Sequence, residues 1–149
     1  MKRKPNIFDK IGTAIPGYKG YQEREGRREC DRQIREQIAD KLSEIEKKVI
    51  DLIDYSNMAE LAEIEKNRKK INNLKDLIKY SPYGASAFFS DYIIKDVELE
   101  EIYQMDLDIL NTVQKLEADI EIKQLAKLKN SIQETEESIK KRNHYLKDK

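Results

Sequence analysis

Ile34, Ile38, Leu42, Ile45, Val49 and Ile53 recur at steps of three and four residues, which places them on one stripe of a helix. Leu61, Ile64, Ile71, Leu74 and Ile78 continue the stripe beyond a weak patch at Tyr55, Ser56 and Asn57. Asn57 followed three residues later by Glu60 reads as a capping box and predicts a helix start there. No glycine stands nearby to stop the preceding helix, so a continuous or slightly kinked arm is the favoured expectation. In the second half, Leu99, Ile102, Ile109, Val113, Leu116 and Ile120 form a cleaner seam, interrupted only by Asp106. Leu125, Leu128, Ile132, Ile139 and Leu146 then make a second stripe, offset by about two positions, which a local change of supercoil could absorb without a break.

Glycine and proline reinforce this reading, because both are absent from Arg27 to Ser81 and again from Ala85 to Lys149. The predicted fold is all-α: a long antiparallel, coiled-coil-like helical hairpin over residues 22–149, or the same arms broken into a three- or four-helix bundle. Residues 1–21 form a separate basic segment that contains glycine and proline, and residues 81–95 form the bend.

The 149 residues fit one domain, and a 38% hydrophobic share suits a narrow apolar seam better than a large spherical core. Lysines and arginines balance aspartates and glutamates at 29 each, so no overall charge favours nucleic acid, which is not an expected partner. From Asp91 to Glu121 ten acidic side chains face only Lys95 and Lys115, whereas Lys66 to Lys79 carries six cations against Asp76. In an antiparallel hairpin bent at Pro82 and Gly84 these two blocks are expected to lie side by side. Arg24, Arg27, Arg28, Arg32 and Arg35 form a third cluster, read as a solvated face laced with helical ion pairs.

Candidate chemistry is sparse. His144 is the only histidine and Cys30 the only cysteine, which excludes an intrachain disulfide and the paired Glu/His pattern of di-iron bundles. No nucleophile stands beside a base, so the chain is expected not to be an enzyme and to need no cofactor or metal. Asp106, polar in an apolar seam, is expected to fix register or pair with a lysine or arginine.

Two aromatic clusters are the candidate partner-binding positions. Tyr80, Tyr83, Phe88, Phe89 and Tyr92 crowd the bend, where they either cap the bundle or present a binding tip. Phe8, Tyr18 and Tyr21 lie in the first segment, where Ile7, Phe8, Ile11 and Ile15 are spaced as an apolar helical face among basic residues. That segment either folds back over the open end of the hairpin or lies weakly on an anionic membrane surface. The expected function is a non-enzymatic interaction or scaffold protein with protein partners, self-associating as a homodimer because one hairpin buries only one seam. A peripheral membrane protein anchored by the basic segment is the alternative. With no stretch of about 20 apolar residues and no apolar leader, a cytoplasmic location is expected.

Overall fold

The structure, a computed structural model, describes residues 10, 11, 15, 24–52, 58–79, 96–121 and 125–147. Four helices account for nearly all of them: α1 (Arg24–Asp51), α2 (Met58–Lys79), α3 (Asp96–Glu121) and α4 (Leu125–Lys147). No strand occurs among the described residues. The all-α expectation therefore holds in its four-helix form.

Ion pairs between helices fix the directions. Arg68 and Lys75 of α2 both reach Glu46 of α1, at 3.0 and 3.7 Å, while residues 32–36 share a groove with Lys75 and Lys79; α1 and α2 run antiparallel. Lys115 meets Glu134 at 3.0 Å and Arg142 meets Asp106 at 2.6 Å, so α3 and α4 are antiparallel as well. Lys41 binds Glu117 at 3.0 Å and Lys48 binds Glu121 at 3.1 Å, which makes α1 and α3 parallel. The order around the bundle is α1, α2, α4, α3, and α2 and α3 lie across its diagonal.

Two expectations are corrected here. The first arm does not continue past Asp51: α1 closes with a tight turn in which Leu52 N–H donates to the Val49 carbonyl at 3.1 Å, and α2 returns along α1 from Met58. The capping signal at Asn57 and Glu60 was thus the informative one, and the missing glycine was not needed. The second arm likewise turns between Glu121 and Leu125, where the shift of apolar phase marks a hairpin and not a change of supercoil. Burial is the physical reason. A straight arm could cover its stripe only along one seam with the other arm, whereas the return buries Ile34, Ile38, Leu42, Ile45 and Val49 opposite Ile64, Ile71, Leu74 and Ile78 in a core shared by four helices, each at 2% exposure or less. Each such side chain contributes about 1.5 to 3 kcal/mol when fully removed from water.

The same core receives Ile102, Ile109, Val113, Leu116 and Ile120 from α3 and Leu128, Ile132 and Ile139 from α4. Ile11 and Ile15 of the first segment join it, and Ile15 N–H donates to the Ile11 carbonyl at 2.9 Å. Ile15 lies between the parallel helices α1 and α3, beside Ile38, Leu110 and Val113. Ile11 and Ile15 thus fold back on the bundle, but Ile15 packs against its flank between α1 and α3 and not over the open end as expected.

Candidate functional site in the α2/α4 groove

The charge blocks do not meet as the hairpin predicted, because folding each arm on itself puts α2 and α3 on opposite corners. Arg68 and Lys75 turn to Glu46 of α1 instead. Arg68 also holds Glu65 at 2.6 Å, which keeps the Glu65 carboxyl below its ordinary range. On the acidic side, Glu117 sits between Lys41 and Lys48 of α1, at 3.0 and 3.3 Å. Helix α1 thus supplies the counter-charges that α2 and α3 were expected to give each other.

This rearrangement leaves part of the basic block outward. Lys70 of α2 and Lys129 of α4 line a groove of about 420 Å³ between these helices, with Ile132 and Gln133 among its lining residues. Lys66 and Lys69 stand exposed on the adjoining surface of α2. Among the described residues none of these four lysines has an ion-pair or hydrogen-bond partner. Of the two carboxylates of the groove, Glu136 is bound by Lys140 at 2.6 Å, whereas Glu137 accepts only from the neutral Gln133 amide, at 3.3 Å, and keeps its charge. A groove with a surplus of lysines can hold carboxylates of an incoming chain by charge.

The other grooves are more self-contained. Between α1 and α2, about 410 Å³ is lined by Arg32, Arg35, Lys75 and Lys79 with Glu36 and Asp40, and there Arg32 binds Glu36 at 3.2 Å. Arg35, read from sequence as part of a solvated face, is 8% exposed, because it falls on the inner edge of the α1 stripe next to Ile34 and Ile38.

Polar groups inside the bundle serve packing. Arg142 and Asp106 are paired in the core, as the lone acid in the α3 seam predicted. Asp119 accepts a hydrogen bond from the Ser131 hydroxyl, and the Thr135 hydroxyl donates back to the Ser131 carbonyl at 2.8 Å. Asn67 is buried in the α2 seam, and its Oδ1 has no hydrogen-bond partner among the described residues. The sequence reading passed over Asn67, Ser131 and Thr135, although a polar residue at a three-four position was a signal available at each.

The aromatic candidates Tyr80, Tyr83, Phe88, Phe89, Tyr92, Phe8, Tyr18 and Tyr21 all lie outside the described residues. Among the described residues no three histidine, cysteine, aspartate or glutamate side chains are placed to hold a metal ion. No described helix is long and apolar enough to cross a membrane. Compared with known proteins, the chain matches no family model, no curated protein and no solved structure.

Proposed function

We propose that this chain is a non-enzymatic interaction protein whose α2/α4 groove takes an acidic segment of a protein partner. One observation carries the reading: Lys66, Lys70 and Lys129 have no ion-pair partner among the described residues and outnumber Glu137, the groove carboxylate that no cation binds, while Lys41, Lys48, Arg68, Lys75, Lys115 and Lys140 are each bound to a carboxylate. A peptide is favoured over a nucleic acid because the 29 basic and 29 acidic side chains balance, leaving no net positive charge to draw a continuous phosphate backbone. The alternative of a membrane-surface protein draws less support, since Ile11 and Ile15 are already used in the core.

A fluorescent glutamate-rich peptide tests the reading by anisotropy. Reversing Lys66, Lys70 and Lys129 to glutamate is expected to weaken binding at least about tenfold at low salt, while reversing the exposed Lys47 of α1 leaves it nearly unchanged. Equal binding by the triple variant, or displacement of the peptide by a single-stranded oligonucleotide at far lower concentration, would remove the proposal.

A further inference from the structure

Resting on that reading, we infer that the acidic segment is the α3 face of a second copy of this chain, so that copies dock head to tail. The fold exposes both halves of the contact at once. Glu100 and Glu101 of α3 are exposed and have no ion-pair partner among the described residues. Asp108, two turns beyond Glu101, is held only by the amide of Gln104 at 2.8 Å, a neutral donor that leaves its charge in place. These acids belong to the block that the sequence paired with Lys66 to Lys79, and the diagonal placement of α2 and α3 prevents that pairing within one molecule. Between two molecules nothing prevents it.

Spacing agrees with the charges. Seven residues of helix advance about 10 Å, so Glu101 and Asp108 stand about as far apart as the axes of two packed helices. Laid across the α2/α4 groove, α3 of one copy can address Lys66 and Lys70 on one wall and Lys129 on the other. The acidic and basic faces lie on different helices of the bundle, so the contact is heterologous and each bound pair still offers one free face of each sign. Assembly therefore grows with concentration into open chains or closes into a ring. Exposed pairs are screened by added ions, so it is expected to fade as salt rises.

Sedimentation velocity on the full chain tests this at low ionic strength, with circular dichroism confirming that each variant folds. The sedimentation coefficient is expected to rise with protein concentration and to return to the monomer value in high salt. The double reversals E100K/E101K and K66E/K70E are each expected to abolish assembly when alone. Mixing the two variants is the decisive arm, because one keeps only the lysine face and the other only the acidic face: a one-to-one dimer should form and grow no further. A wild-type chain that stays monomeric at every concentration, or assembly that survives either reversal, overturns the inference. If such a monomer still binds the glutamate-rich peptide through Lys66, Lys70 and Lys129, the interaction reading stands and only the identity of the partner falls; if it binds no peptide either, both fall.

Discussion

Arg142 donates from Nε to Asp106 Oδ1 at 2.6 Å across the α3/α4 interface, with 1% and 0% of their side chains exposed. The two residues lie 36 apart in sequence and face each other only because α3 and α4 turn back between Glu121 and Leu125. A guanidinium and a carboxylate taken out of water together regain through each other much of the solvation they give up. Sliding α4 by one turn along α3 would strand both charges in the core, so the pair penalises every other register of this hairpin.

Replacing Asp106 by alanine is expected to cost about 3 to 5 kcal/mol in urea denaturation, because Arg142 is left buried without its carboxylate. The double replacement D106L/R142M is expected to recover most of that loss or to exceed the wild-type stability. A single variant as stable as wild type would show that the pair contributes nothing to the fold.

Stability should depend on pH through the clasp between α1 and α3. Burial pushes the Glu117 carboxyl up, but the hydrogen bonds and charges of Lys41 and Lys48 outweigh this and hold it below the ordinary carboxylate range. Such a group stabilises the fold above its unfolded value, about 4.3, and that contribution disappears as pH falls through the lower folded value. The hydrogen bond to Glu117 raises Lys41, and the one to Glu121 raises Lys48. Their contribution is full below the unfolded lysine value of about 10.4 and is lost as pH rises through the higher folded values. Denaturation midpoints measured against pH are thus expected to show two shoulders, both flattened in E117Q and both small, since the lysines remain largely in solvent.

Ile11 and Ile15, at 0% and 1% exposure, make the first segment part of the core. Alanine at either position is expected to cost about 2 to 5 kcal/mol, as for other buried isoleucines, whereas a free segment would tolerate the change silently. The wild-type chain is correspondingly expected not to float with anionic vesicles, and flotation that requires Ile11 and Ile15 would revive the membrane reading.

Asn67 is 1% exposed in an otherwise apolar α2 stripe, and its Oδ1 has no partner among the described residues. Leucine there is expected to raise stability by about 1 to 3 kcal/mol, the cost of leaving a polar atom without a partner. An unchanged or lower denaturation midpoint for N67L would mean that Asn67 contributes a favourable contact of its own.

Periodicity alone determined that the chain is helical and which side of each helix is apolar: Ile34 to Val49, Ile64 to Ile78, Ile102 to Ile120 and Leu128 to Ile139 are buried as their spacing predicts. It also singled out Asp106 as a residue that fixes register or pairs with a cation, and the structure pairs it with Arg142. The start of α2 was legible in the capping pair at Asn57 and Glu60, although the absence of glycine argued for a continuous arm. What the tertiary structure decided is which stripe meets which. A stripe reports only that a face avoids water, and a face on α2 is satisfied equally by α1, by α3 or by another molecule; closing each arm into its own hairpin chose α1. That choice carried the acidic and basic blocks to opposite corners, gave Glu46 and Glu117 to cations that sequence order did not indicate, and left Lys66, Lys69, Lys70 and Lys129 facing solvent, because charge acts through distance in space and not along the chain.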